Sequence, residues 1–396
     1  MNEKMPKARN YTPWIISIVG LVVVLVVGGL IAGHVKAQQD AAAQEYNKSH
    51  FNENVKIMDV SVGKLTVNQA YKKVNKLGKN QVTLENGKVI YSQVGEEKVT
   101  KKQIQTYFDE QYTRMPNATK RNYGSQDLDE SAKKLSTLAK RSTTYQLAGK
   151  DYTFKAKDVL NKVTYKDGKY VYLDASTLTK QVKAIASKVN TLRTSYPFKT
   201  PTGKTITIQN KSYGWAINTP QAVKAIEDGL SSGAKTVDGK STIFGDGFTD
   251  EGTGYGITAN HGLGKDYIVV SLSAQKVWIY KNNKPVVTLD DVVTGTVTTS
   301  KGDSDATPTG VWYIGYKQTP SVLRGTNDDG SSYASKVSYW MPFTVDGCGF
   351  HDASWRTDWS KTAYLKGGSH GCVNVRPAEI KSVWDNVSTH EPVIVY

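Results

Sequence analysis

Cysteine is almost missing from this chain. There are two in 396 residues, Cys348 and Cys372. That excludes the disulfide framework on which small extracellular modules depend. The six histidines show no zinc-ligand spacing with the cysteines, and no stretch reads as a helix-turn-helix. That spacing points to no zinc site. Acidic residues are in deficit, 36 against 51 basic ones, which leaves a formal charge of +15. Such a surplus favours polyanionic partners. The lysines are spread over residues 56–240 rather than gathered in one short tract. Nucleic acid, anionic lipid headgroups and an acidic cell-wall polymer are the candidates, nucleic acid the weaker one, and the lysines themselves read as solvated faces. A hydrophobic content of 38% supplies ordinary cores but not a bundle of membrane spans.

One long apolar run is present. Trp14 to Gly33, WIISIVGLVVVLVVGGLIAG, carries no charge and matches the ~20 residues a helix needs to cross a bilayer. Lys4, Lys7 and Arg9 precede it; Lys36, Asp40 and Glu45 follow. The positive-inside bias places the amino terminus in the cytoplasm and the bulk of the chain outside. The run exceeds the roughly 7–15 apolar residues of a cleaved signal peptide, and Val35-Lys36-Ala37 is a poor cleavage site. Residues 1–13 are thus read as cytoplasmic, 14–35 as a transmembrane signal anchor, and 36–54 as a stalk able to continue the helix.

From residue 55 to 230 the pattern is α+β. Thr66 is an expected N-cap, with Val67, Ala70, Tyr71 and Val74 on one helical face. Two stretches resemble each other, LENGKVIYSQVGEEKVTKKQIQTYFDEQY (84–112) and YKDGKYVYLDASTLTKQVKAIASKV (165–189). Asn86-Gly87 and Asp167-Gly168 predict tight hairpins, which suggests a weak duplication. NTPQAVKAIEDGL (218–230) predicts a helix capped by Thr219, with Pro220 first inside it. Residues 231–265 are glycine-rich and read as a linker. From 266 to 396 the chain turns β. Asn282-Asn283 marks a hairpin, GVWYIGYKQ, YWMPFTV and PVIVY read as strands, and 377–386 is expected to be the only helix. The fold expected there is a curved β-sandwich or partly open barrel.

The chemistry gathers in GSHGCVNVRP, residues 368–377. A cysteine nucleophile needs a base to make thiolate and donors for the oxyanion that forms. His351, 21 residues before Cys372, is the candidate base. Asp352 is placed to orient it through side chain or backbone carbonyl. Gly367, Gly368 and Gly371 allow amide groups to converge on one point. Two plainer readings stand beside this one. Cys372 is a small buried hydrophobe, or it pairs with Cys348 in a structural disulfide.

GSHGCVNVRP resembles the [S/T]-H-G-C-x-N signature of the L,D-transpeptidases, whose catalytic domain is of the YkuD type. Seventeen residues separate His351 from Ser369, within the family's range for its histidine. YIVVSLSAQKVWIY is similar to the domain's opening hairpin, TPTG (307–310) to its internal loop, and MPF…GFHDASWR to the strand that carries the histidine. The resemblance covers about residues 266–396; residues 55–230 are more loosely similar to peptidoglycan-binding domains of Gram-positive proteins. It implies Cys372 as the acyl-accepting nucleophile and His351 as the general base. Ser369, His370 and Gly371 then shape the oxyanion site and groove, with Asn374 as a hydrogen-bonding scaffold residue. It also implies that a backbone carbonyl, not the Asp352 carboxylate, orients the histidine. Arg376 and Trp355 are candidates for substrate contact, Trp359 for the groove wall, and Gln318 to Ser335 for a lid. Cys348 departs from the aliphatic residue expected and reads as inert.

The implied activity is formation of 3→3 cross-links in peptidoglycan through a cysteine thioester, with release of terminal D-alanine and with no metal or organic cofactor required. An L,D-carboxypeptidase, another cysteine peptidase and a catalytically silent wall-binding protein remain alternatives. Implied partners are donor tetrapeptide stems, an acceptor amine, the cell membrane and carbapenem-type β-lactams. The implied location is the membrane of a Gram-positive bacterium, facing the wall.

Overall fold

The structure is a computed structural model that describes residues 12–78, 81–92, 99–111, 120–123, 128–248, 252–298, 302–327 and 329–396. Two compact units emerge. One comprises Met1–Ala139 with Asn161–Asp174, the other Lys140–Leu160 with Ala175–Tyr396.

The first unit begins with a continuous helix, Thr12–Tyr46. Its Gly20–Tyr46 portion has a mean hydropathy of 2.0 and is unburied, and it is the one helix among the described residues long and apolar enough to cross a membrane. Lys4, Lys7 and Arg9, on which the predicted orientation rests, lie outside the described residues. Helices Val67–Leu77 and Lys101–Asp109 each start with a reciprocal capping box, Thr66 with Gln69 and Thr100 with Gln103. A cap of this kind stabilises a helix by about 1 kcal/mol. Their apolar faces meet around Phe51, Ile57, Val74 and Ile104. The two similar stretches do form hairpins. Asn86-Gly87 and Asp167-Gly168 take left-handed backbone in both turns, as a type I′ turn requires. The hairpins then join edge to edge, Gln81–Glu85 against Lys162–Lys166, in one four-stranded antiparallel sheet.

In the second unit, helix Thr219–Ser232 corrects the predicted cap. Asn218, not Thr219, accepts from the Gln221 N–H, and Gly233 ends the helix in left-handed backbone. Residues 231–265, read as a linker, hold the short strands Thr236–Asp238 and Ile243–Phe244 and a turn of helix, Ala259–Gly262.

The carboxy-terminal third is mainly β. Its larger sheet runs Lys284–Leu289, Lys276–Lys281, Tyr267–Ser271, Pro392–Val395, Gly310–Tyr313; only the Tyr267–Ser271 and Pro392–Val395 strands pair in parallel. A smaller sheet holds Trp340–Pro342, Gly349–Asp352 and Val373–Val375. Between them lies the core of Val270, Val277, Met341, Phe343, Phe350 and Val373. The larger sheet is covered on its other face as well. Tyr196, Phe198, Ile208, Tyr213 and Leu263 pack on Val269, Trp278, Val311 and Ile394. Burial on both faces explains why the strand Tyr267–Ser271 reads as continuous YIVVS rather than alternating. The sheets curve around one core without closing into a barrel. A single helix was expected here; there are two, the one-turn Tyr364–Gly367 and Ile380–Asn386, the latter starting three residues after Pro377.

Candidate active site

Strand register brings the two candidate residues together. Gly349–Asp352 and Val373–Val375 run parallel, with Phe350 opposite Val373 and His351 opposite Asn374. Side chains alternate between faces along a strand. Phe350 and Val373 therefore point into the core, whereas His351, Asn374 and Cys372 share the opposite face. That face floors a cleft of about 1210 Å³, lined by Cys372, His351, Ser369, His370, Trp355 and Arg356 among others.

His351 is 3% exposed and lies between the rings of Trp340 and Trp355, with centroids 5.9 and 5.8 Å away. Burial lowers its pKa below the usual imidazole value, and the Arg356 charge acts in the same direction. Its Nδ1 lies 2.9 Å from the backbone carbonyl of Asp352. The Asp352 carboxylate is engaged elsewhere, accepting from the backbone N–H groups of Ser338 and Tyr339 at 2.7 and 3.1 Å. Asp352 thus meets the imidazole through its carbonyl and not its side chain, the option of the two that the resemblance implied.

The Cys372 thiol donates to the carbonyl of Gly347 at 3.7 Å, and the Gly349 N–H points at the sulfur. Enclosure, with Cys348 as the next influence, pushes this thiol up to about 12. At rest the thiol and the imidazole have other partners than each other. The imidazole Nε2 instead receives the side-chain N–H of Asn374 at 3.1 Å, once the Asn374 oxygen faces Arg356 at 2.9 and 3.1 Å. Both cysteines are free. Cys348, two residues before Phe350, joins the buried core, and no disulfide links it to Cys372 in this fold.

Neighbouring loops brace the cysteine loop. Ser369 Oγ donates to the Cys372 carbonyl at 2.5 Å. Thr307, in the TPTG loop, donates to the Gly371 carbonyl at 2.8 Å. Gly371 has φ +106°, and a Cβ there would lie 2.5 Å from Cys348 Sγ; glycine is required on both counts. The stretch Gln318 to Ser335, apart from Asp328, lies within the described residues. It contains most of a β-hairpin, Ser321–Thr326 with Ser332–Val337, whose Tyr333 ring stacks on His370 with centroids 5.6 Å apart. Its residues line the cleft, as a lid would. Trp355 is half exposed at the rim. Arg376 is a correction: its guanidinium lies over Trp359 and pairs with Asp291 at 3.3 Å, and it is not among the cleft residues. Trp359 is held by that same arginine and by the Arg356 carbonyl. Arg356, Gly347 and Gly349 escaped the sequence reading. The glycines flanking Cys348 and the arginine five residues past His351 were the available signals.

A family model of the L,D-transpeptidase catalytic domain (YkuD) matches residues 265–395, and a model of a peptidoglycan binding domain matches residues 123–238. No curated protein matches the chain. A solved structure of the Ldtfm–avibactam carbamoyl enzyme is 28% identical, covers 68% of this chain and 98% of that one, and superposes with a TM-score of 0.50. A cysteine-to-serine mutant of the Enterococcus faecium L,D-transpeptidase is 28% identical over 67% of this chain and 98% of that one, with a TM-score of 0.49. The separate catalytic domain from E. faecium is 39% identical over 33% of this chain and 96% of that one, with a TM-score of 0.29.

Proposed function

The chain belongs to the L,D-transpeptidases by its YkuD-type catalytic domain, and on that premise we propose that Cys372 and His351 carry a 3→3 cross-linking reaction on peptidoglycan. The observation that carries this reading is the placement of thiol and imidazole on one face of a parallel strand pair, at the floor of an open cleft.

At rest both groups are neutral. The thiol is held high by enclosure and the imidazole is held unprotonated. A ring nitrogen offers one in-plane lone pair, so the Asn374 N–H and the thiol proton compete for Nε2. The chemistry begins when the thiol turns from the Gly347 carbonyl to that nitrogen. His351 takes the proton and sulfur attacks the carbonyl of the third stem residue. Amide groups around Gly371 and Cys372 receive the developing oxyanion. The C–N bond then breaks, and the leaving amine of D-alanine takes the proton from His351. A side-chain amine of a second stem attacks the thioester, gives its proton to His351, and frees the sulfur. Water in place of that amine gives carboxypeptidase activity. Ser369 and Gly371 hold the loop, while His370 and Trp355 border the substrate. Carbapenem-type β-lactams offer a strained carbonyl to the same sulfur. The avibactam carbamoyl enzyme of a similar protein supports acylation of this kind. A membrane-spanning first helix and the match to a peptidoglycan binding model support a site that faces the cell wall.

The test is a disaccharide-tetrapeptide donor mixed with an acceptor stem, with products identified by mass. The expected product is a cross-linked dimer plus D-alanine from the wild type and neither from Cys372→Ala. A free tripeptide acid as the sole product would make it a hydrolase, and no turnover with no adduct would favour a silent wall-binding protein.

A further inference from the structure

We propose that Arg356 is a positioning residue that, acting through Asn374, holds the His351 imidazole in the single tautomer carrying its proton on Nδ1. The half-buried guanidinium donates to the carbonyls of Gly367 and Gly368 at 2.8 and 3.0 Å. Its Nε and Nη2 also reach the Asn374 side-chain oxygen at 2.9 and 3.1 Å. A guanidinium has donors and no acceptor, in a rigid fork. It therefore dictates which end of the Asn374 amide faces it. The other end must present N–H to His351 Nε2, 3.1 Å away. That nitrogen must then carry its lone pair, and Nδ1 carries the proton to the Asp352 carbonyl at 2.9 Å. The relay is fixed in direction at both ends, by a cation that cannot accept and a carbonyl that cannot donate. A proton on Nε2 would set two donors face to face.

The other titratable groups near the imidazole do not set this state. The Asp352 carboxylate is turned to Ser338 and Tyr339. The Cys372 thiol is turned to Gly347. Asp346 and His370 border the wider cleft, and His370 stacks on Tyr333. Burial is the main influence against an imidazolium and outweighs the opposing hydrogen bond and charge of Asp352, with the charge of Arg356 adding to it.

The inference rests on the proposed function only for the use made of the base; the hydrogen-bond relay can be tested on an inactive protein. The experiment is a 15N NMR titration of the histidines in the full chain carrying Cys372→Ala, solubilised in detergent, with the His351 signal assigned by its loss in His351→Gln. Without Arg356 the amide is free to turn its oxygen toward an Nε2–H. In Arg356→Met the His351 midpoint therefore rises by about one pH unit or more, and the Nδ1-protonated signal no longer dominates at neutral pH. Arg356→Lys retains the charge but not the fork, and should give an intermediate midpoint should the methionine variant fail to fold. In an Asn374→Leu background the arginine substitution raises the midpoint by clearly less, leaving only the direct effect of the lost charge. An unchanged midpoint in both Arg356 variants, or an equal rise with and without Asn374, overturns the proposal. Neither result bears on whether Cys372 forms a thioester.

Discussion

The sulfur of Cys372 sits under opposed influences. Enclosure raises its pKa to about 12, while the Gly349 N–H favours the thiolate. With a raised thiol and a lowered imidazole, the resting pair is neutral rather than an ion pair. Alkylation of Cys372 by iodoacetamide should therefore accelerate steadily as pH rises from 7 to 10, without the plateau near neutrality of a preformed thiolate. Under native conditions a thiol reagent should count one reactive cysteine, and two after unfolding, because Cys348 is core. His351 also links pH to stability. Its folded pKa lies below the ordinary 6.5, so its contribution is whole above that value and is lost as pH falls through the folded pKa. The melting temperature should drop on acidification from pH 7 to 5, and drop less in His351→Gln. Asp352→Asn should keep acylation within a few-fold, because the orienting acceptor is a main-chain carbonyl; a loss of about 10⁴ would instead indicate an orienting carboxylate of the serine-protease kind. The pairing of Cys372 with His351 as candidates was readable because few residue types perform that chemistry, and strand register sets both on one face. Arg376 was misjudged because sequence cannot tell an arginine facing substrate from one stacked on Trp359. Arg356 was missed because its effect passes through a second side chain.

At the scale of elements, the site depends on how loops are clamped. Gly371 must keep positive φ and leave room for Cys348 Sγ. Gly371→Ala should cost about 1–3 kcal/mol from backbone strain, with a further penalty from overlap. Adding Cys348→Ala should recover the overlap part alone, readable by denaturant melts of the single and double variants. The hairpin of Ser321–Thr326 and Ser332–Val337 is joined to the cysteine loop by the Tyr333–His370 stack. Tyr333→Ala should slow acylation by a carbapenem about tenfold while leaving the melting temperature within a few degrees. Hairpin turns were readable at this scale because Asn-Gly, Asp-Gly and Asn-Asn tolerate left-handed backbone. The pairing of the two similar hairpins was not, since edge-to-edge joining leaves no local trace. The cap at Asn218 was misread by one residue because Asn, Thr and Pro stand in a row there.

At the scale of the whole chain, the catalytic sheet is buried on both faces. Residues 196–263 supply aromatic and aliphatic cover to its outer side. A fragment of residues 265–396 should melt lower than one of residues 175–396 and should bind a hydrophobic dye; equal stability would mean the cover is dispensable. The unbroken apolar runs of this third signalled burial but not what supplied it. The cover comes from a stretch whose own pattern looked like part of a separate region. The account as a whole stands on Cys372 becoming covalently acylated with His351 as its base. Intact-protein mass spectrometry of the full chain quenched in acid after mixing with a disaccharide-tetrapeptide tests this most directly. The expected result is a transient adduct of the donor less D-alanine, mapped to Cys372 in the wild type, formed at least a hundredfold more slowly in His351→Ala and absent in Cys372→Ala. An adduct on any other residue, or one formed equally fast without His351, would contradict it.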